Sequence, residues 1–217
     1  MKVIFSEPGR GFNKLSNKLK QSFVKVLKSN SYILGKNVRE FEDKIASYLN
    51  DKGYFVSCAN GTDAITLSIL ALGIKPKSKV LVPSHTAPAS IIGIINANCT
   101  PVYVDIEKNT PLINIDNIVK ISKKIKINAV LAVHLYGMCV DIKKLIRLMN
   151  NKNIKIIEDC SQSFGSKING SQTGTLGNAG TFSFFPTKNL NTLGDAGGIF
   201  VKSKKIKDRI IKLRQYG

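Results

Sequence analysis

Acidic residues are scarce in this chain: 14 Asp and Glu stand against 33 Lys and Arg, a formal charge of +19 over 217 residues. Such a field favours anionic partners of several kinds, including nucleic acid, acidic membranes and phosphorylated metabolites. Most of the lysines, however, fall in short mixed segments around Lys18, Lys123 and Lys204 that read as solvated faces of amphipathic helices. No basic run is interleaved with aromatics and no zinc-finger or RNA-binding signature occurs, so nucleic acid is not an expected partner. Histidine is rarer still, with two residues, and the four cysteines (Cys58, Cys99, Cys139, Cys160) lie far apart without a CxxC pair. A Cys/His metal site would have to be gathered from the whole chain, so no metal is expected. The thiols read as reduced, in a cytoplasmic protein. The longest apolar stretch, from Ala87 to Cys99, is too short and too interrupted to span a bilayer, and the N-terminus has no signal-peptide core. No GxxxxGK[ST] occurs. Gly174, Gly177 and Gly180 are evenly spaced but do not form a dinucleotide fingerprint, because no strand precedes them and no helix follows.

What remains is an ordinary globular composition, 43% apolar and 22% charged, in a chain long enough for one large domain. Helical and strand patterns alternate along it. Helices are expected at 12–28 and 38–49, where apolar residues recur three and four apart, at about 64–72, in a small apolar segment running through 95, and at 115–124, 141–149 and 204–214. Strands are expected at 54–58, 80–82, 101–104, 129–133, 154–157, 181–185 and 198–201. This order predicts an α/β fold with a mostly parallel mixed sheet flanked by helices, preceded by a helical segment. The all-apolar run Ala129–Val133 reads as a buried central strand.

Three places in this pattern carry candidate chemistry. Ligands in open α/β sheets gather outside the carboxyl ends of strands, and Asp159 sits where an apolar strand ends, with Gln162 three residues on. Taken alone, Asp159 reads first as the cap of a following helix. Lys188 follows a β-type run broken by Pro186, five residues after Ser183, a placement that turns it toward the same sheet edge. Alone, it is one more loop lysine in a lysine-rich chain. The stretch Asn60-Gly61-Thr62-Asp63 stands between a strand and a helix, where backbone amides form either a phosphate cradle or an ordinary N-cap.

Read together, the stretches are more specific. Ser57-Cys-Ala-Asn-Gly-Thr-Asp-Ala64, Val82-Pro-Ser-His-Thr86, Val133-His-Leu-Tyr-Gly137, Glu158-Asp-Cys-Ser-Gln162 and Phe182-Ser-Phe-Phe-Pro-Thr-Lys-Asn-Leu190 occur in the order seen in the DegT/DnrJ/EryC1/StrS sugar aminotransferases. Gly194-Asp-Ala-Gly-Gly198 and Leu213-Arg-Gln-Tyr-Gly217 continue the resemblance to the end of the chain. The resemblance implies a pyridoxal 5′-phosphate (PLP) enzyme of fold type I, with residues 1–217 forming the PLP-binding large domain and the family's C-terminal small domain absent from them. It implies that Lys188 is the catalytic residue, forming a Schiff base with PLP and moving the proton. Asp159 pairs with the pyridine nitrogen and Gln162 contacts the ring hydroxyl. Gly61, Thr62 and Asp63, through the helix N-terminus, and Ser183, through its hydroxyl, hold the phosphate.

The implied reaction moves an amino group, with glutamate the expected donor, to a nucleotide-linked ketosugar in polysaccharide or glycan precursor biosynthesis. The implied assembly is a cytoplasmic homodimer. A related dehydratase that dispenses with the covalent lysine is disfavoured by the presence of Lys188. The alternative from a different class is a catalytically impaired fragment that binds PLP or acts as a scaffold. Two features depart from the family pattern or stay open. Ala87 stands where many relatives carry an aromatic residue against the cofactor ring, with His85 the nearest planar side chain. His134 fits core packing and a substrate-side role equally.

Overall fold

A computed structural model describes residue 4 and residues 7–50, 52–149 and 153–216. Gly217, the last residue of the terminal motif, lies outside the described residues. Three helices lead the chain, α1 (Gly9–Asn13), α2 (Ser16–Ser29) and α3 (Lys36–Leu49), and strand β1 (Tyr54–Cys58) follows. Helix α4 (Gly61–Ala71) leads to β2 (Lys79–Pro83), α5 (Pro88–Asn96) to β3 (Thr100–Val104), and α6 (Ile115–Lys124) to β4 (Ala129–Val133). Helix α7 (Ile142–Met149), β5 (Lys155–Asp159), the short pair β6 (Lys167–Ile168) and β7 (Ser171–Gln172), β8 (Ala179–Ser183), β9 (Gly197–Val201) and α8 (Lys204–Leu213) complete the order.

Seven strands form one sheet in the order β1-β9-β8-β5-β4-β2-β3. Neighbours pair in parallel from β3 through β8, and β9 alone runs against both of its neighbours. Six strands therefore present their carboxyl ends at one edge, the mostly parallel mixed sheet that the sequence pattern predicts.

Period-two alternation sorts the sheet's side chains onto two covered faces. Leu81, Val130, Ala132 and Ile156 pack under α6 and α7 against Ile118, Ile142 and Leu145. Val80, Val82, Ala129, Leu131 and Ile157 pack under α4 and α5 against Ile65, Ile69 and Ile94. With both faces covered, all five residues of β4 are buried, as its apolar run requires. A third cluster is aromatic: Phe55, Phe182, Phe184 and Phe200 bury together under α3, whose Phe41 meets Phe184 edge-on at 5.3 Å between centroids.

Several boundaries differ from the sequence expectation. The single helix expected at 12–28 is two, broken at Lys14–Leu15, and Phe23, Val24 and Leu27 of α2 remain exposed. Helix α4 starts at Gly61 rather than Ala64, because Asn60 caps it. The strand expected at 181–185 ends at Ser183, and the strand expected to end at Ile157 carries on through Asp159. The β6–β7 hairpin has no counterpart in the sequence expectation. Its turn is Asn169-Gly170, both at positive φ (50° and 77°), a pairing that suits a two-residue hairpin turn.

The far end of the chain is tied back to the start of the fold. Arg214 donates to Glu42 at 2.6 Å and to the Ser57 carbonyl at 3.2 Å, while the Ser57 amide and hydroxyl donate to the same Glu42 oxygen. Two of the sequence motifs thus meet in a structural clasp between α8, β1 and α3.

Candidate active site

A cavity of about 310 Å³ opens at the carboxyl edge of the sheet, where the ends of β1, β2, β4, β5 and β8 converge. Lys188 and Asp159 both line it, as do Gly61, Thr62, Gln162 and Ser183. Residues more than a hundred positions apart in sequence are gathered here because parallel strands deliver their following loops to one side.

Asp159 ends β5 and is 4% exposed. Ser90 on α5 donates to its Oδ2 at 3.0 Å, the Ser161 amide donates to Oδ1 at 3.0 Å, and Thr86 backs Ser90 at 2.8 Å. Each carboxylate oxygen keeps a lone pair for a donor in the cavity. Ser90 is a site residue that sequence reasoning missed. It lies 69 positions from Asp159 and carries no local signal.

On the opposite wall, α4 points its N-terminus into the cavity. Its first amides, those of Gly61 and Thr62, have no acceptor within the helix, and the helix dipole favours an anion there. Gly197 lets β9 pass against this turn, since a Cβ on it would overlap the Asn60 carbonyl. The Ser183 side chain stands beside Gly61, with Ser183 Cβ 2.8 Å from where a Gly61 side chain would begin. This corner of the cavity therefore offers two amides and a hydroxyl. Asp63, expected to contribute its amide, does not: that amide donates to Asn60 Oδ1 at 2.8 Å, and Asn60 Nδ2 donates to the Asp63 carboxylate at 3.2 Å. The N-cap bond takes the third amide of the helix and leaves the first two for a ligand.

Lys188 is half-buried in the turn after Pro186. Its amide donates to the Phe185 carbonyl at 2.8 Å, Asn191 donates to the Pro186 carbonyl at 2.7 Å, and the Thr192 amide returns to the Phe184 carbonyl at 2.8 Å. These bonds pin the loop that brings the lysine back over the cavity. Among the described residues, no carboxylate forms a salt bridge with Lys188.

Gln162 faces the cavity from the loop after β5, its Oε1 accepting from the Tyr136 amide at 3.0 Å. Its NH₂ end is left as a donor toward the cavity. Ala87 lines the cavity, as the departure from the family pattern implies, whereas His85 reaches away to the Tyr136 hydroxyl at 3.3 Å. Among the described residues, Phe185 is the one aromatic in the lining.

Behind this wall the structure resolves the two readings of His134. It is fully buried, with Nε2 3.0 Å from Glu158 Oε2, while the Val140 amide donates to Nδ1 at 3.0 Å. Because Nδ1 accepts, Nε2 carries the proton and donates to the carboxylate. Glu158 also accepts the amides of Gly174, Leu176 and Gly177 at 2.7–2.9 Å. Burial alone would push its carboxyl up, but the bonds from His134, Gly177 and Gly174 outweigh this and hold it below the usual range. The spaced glycines now have a purpose: they let the 173–180 loop wrap this carboxylate, Gly180 passing so close to Gly174 that a Cβ would overlap its backbone. His134, Glu158 and Cys160 are the only metal-type cluster among the described residues. The ring nitrogens and carboxylate oxygens are all occupied, and burial pushes the Cys160 thiol well up, so the cluster is a core network.

A carboxylate on one wall, an anion cradle on another and a lysine at the mouth fit PLP in kind, and the volume lies at the small end of ligand pockets. Known proteins point the same way. The chain is 42% identical over 201 residues to the dTDP-3-amino-3,6-dideoxy-alpha-D-galactopyranose transaminase of Aneurinibacillus thermoaerophilus, covering 92% of this chain and 54% of that protein. It is 35% identical over 207 residues to the UDP-N-acetyl-3-dehydro-alpha-D-glucosamine 3-aminotransferase of Acidithiobacillus ferrooxidans, covering 95% of this chain and 55% of that protein. The crystal structure of S. venezuelae DesV in complex with a ketimine intermediate superposes with a TM-score of 0.93 at 32% identity, over 100% of this chain and 58% of that one. The chain thus spans just over half the length of these relatives. The profile of the DegT/DnrJ/EryC1/StrS aminotransferase family matches residues 13–217, a span that includes every residue lining this cavity, and the chain belongs to that family.

Proposed function

We propose that residues 1–217 form the PLP-binding large domain of an aminotransferase that moves an amino group onto a keto carbon of a nucleotide-linked sugar. The observation that carries this reading is the presence of Lys188 and Asp159 on the walls of one cavity, which the α4 N-terminus also lines. When bound, PLP supplies an electron sink through its protonated ring. The chain's own residues do the rest. Asp159, held by Ser90 and Ser161, keeps a proton on the ring nitrogen. The amides of Gly61 and Thr62 and the Ser183 hydroxyl bind the phosphate, and Gln162 donates to the ring hydroxyl. The amine of Lys188 would hold the cofactor and, as a base, would carry the proton between substrate and cofactor.

Names of the relatives support a nucleotide-sugar substrate, since they act on dTDP- and UDP-linked sugars. Glutamate as the donor, a homodimer as the assembly and polysaccharide or glycan precursor biosynthesis as the pathway are part of the proposal, and family membership supports them. A cytoplasmic location is favoured by four free thiols, and among the described residues no helix is long and apolar enough to cross a membrane. The experiment is direct. Protein mixed with PLP is expected to develop a visible band that Lys188→Ala abolishes and that glutamate bleaches. A band that persists in Lys188→Ala, or that glutamate leaves untouched in the native protein, would refute the proposal.

A further inference from the structure

The turn at 134–140 joins the buried network to the cavity wall. His134 closes it, its Nδ1 accepting the Val140 amide at 3.0 Å, while its own amide donates to the Asp159 carbonyl at 3.0 Å. Inside the closed turn Tyr136 adopts a left-handed conformation, φ 56° and ψ 27°. Tyr136 has no glycine-like freedom, and a bulky residue persists in this region only where its surroundings force it. Its side chain is 63% exposed, so packing does not supply that force. The conformation instead aims the Tyr136 N–H at Gln162 Oε1, 3.0 Å away. A carboxamide has two ends of nearly the same shape and opposite hydrogen-bonding character. With its oxygen engaged by Tyr136, the Gln162 NH₂ is the end left for the cavity.

We propose that His134 is a positioning residue for Gln162. By closing the 134–140 turn it holds the Tyr136 amide where that amide fixes which end of the Gln162 carboxamide faces the cofactor. The inference rests on Gln162 contacting the ring hydroxyl. Glu158 anchors the far side of the imidazole, and its bond to Nε2 sets the tautomer in which Nδ1 is free to accept. If the turn opens, Tyr136 relaxes to negative φ, its amide swings off Gln162, and the carboxamide is free to present either end.

Two near-isosteres of histidine separate this role from simple core filling. His134→Asn places a carbonyl oxygen about where Nδ1 lies and keeps the Val140 bond while giving up Glu158. His134→Gln reaches Glu158 with its amide but has nothing in the Nδ1 position. The readouts are the dissociation constant for PLP and the visible and induced circular-dichroism bands of the bound cofactor. Gln162→Ala is expected to weaken PLP binding about tenfold, the size of one hydrogen bond with charged character, and to shift the bands. His134→Gln is expected to reproduce that loss and shift, and His134→Gln/Gln162→Ala to bind no more weakly than Gln162→Ala alone. His134→Asn is expected to stay within about twofold of native. Native binding in His134→Gln beside a weakened Gln162→Ala would overturn the proposal, as would losses that multiply in the double variant. If His134→Gln does not fold, His134→Asn decides: folded but with the Gln162→Ala spectrum, it contradicts the role of the turn. Native behaviour of Gln162→Ala itself would remove the assignment of Gln162, and this inference with it, while leaving Lys188 and Asp159 untouched.

Discussion

Replacing Glu158 with Gln tests the network behind the site with a change of one atom. The carboxylate accepts His134 and Gly174 on Oε2, and Leu176 and Gly177 on Oε1. A carboxamide can accept on one side only. Whichever way it turns, two buried donors face its NH₂ group and lose their acceptor. His134 could relieve one of these only by moving its proton to Nδ1, which would then oppose the Val140 N–H. Each orphaned buried donor costs about 1–3 kcal/mol, so the variant is expected to lose about 2–6 kcal/mol. That is a large share of the roughly 5–15 kcal/mol that holds a domain together. Urea unfolding followed by far-UV circular dichroism reads the loss as a fall in midpoint at unchanged slope. A carboxyl whose folded pKa is depressed contributes stability that is complete above its unfolded value, about 4.3, and is lost as pH falls through the folded value. The gap between native and Glu158→Gln is therefore expected to be full at pH 7 and to narrow below about pH 4. A loss under about 0.5 kcal/mol, or a gap that widens on acidification, would refute the hydrogen-bond accounting.

Other perturbations address the cavity itself. Asp159→Asn is expected to fold and to bind PLP but to lose transamination by orders of magnitude, measured as bleaching of the visible band by glutamate; unchanged bleaching refutes its role. Ala87→Phe adds a second ring to a lining that already holds Phe185, and calorimetry is expected to show PLP binding tightened about two- to tenfold, from an aromatic contact of about 0.5–1.5 kcal/mol. Gly197→Ala forces a Cβ into the Asn60 carbonyl and displaces the cap of α4, so it is expected to weaken phosphate binding as well as stability, read from PLP titrations and thermal melts. Burial pushes the Cys58 thiol up to about 12, against a lowering from the Asn60 backbone, so Cys58 is expected to resist thiol reagents at pH 8 until the protein unfolds. Mass spectrometry after brief labelling measures this directly.

The parts of the fold legible in sequence were those set by local pattern. The apolar runs of β4 and β2 and the three-four spacing of α6 and α7 specify elements whose burial depends on their own residues. That Lys188, Asp159, Gln162 and Ser183 line one cavity was legible for a different reason: each sits just beyond or at the end of a strand, and parallel strands bring those ends together. What stayed hidden depends on distant partners. Ser90 gains meaning only from Asp159, and the glycines at 174, 177 and 180 only from the Glu158 carboxylate they enclose. Glu158 stands beside Asp159 in sequence, yet alternation along β5 turns it away from the cavity and into the core. Asp63 looked like a phosphate ligand because its position in α4 suits one, and the Asn60 cap had already taken its amide. The Asn169-Gly170 turn was a local signal that could have revealed the β6–β7 hairpin.

The measurement closest to the core of this account is a titration of the native protein and Lys188→Ala with PLP, followed by borohydride reduction and peptide mapping. The account predicts one cofactor fixed per chain, on the peptide carrying Lys188, with Asp159→Asn still labelled there. Label spread over the many surface lysines, or native-like labelling of Lys188→Ala, would contradict it.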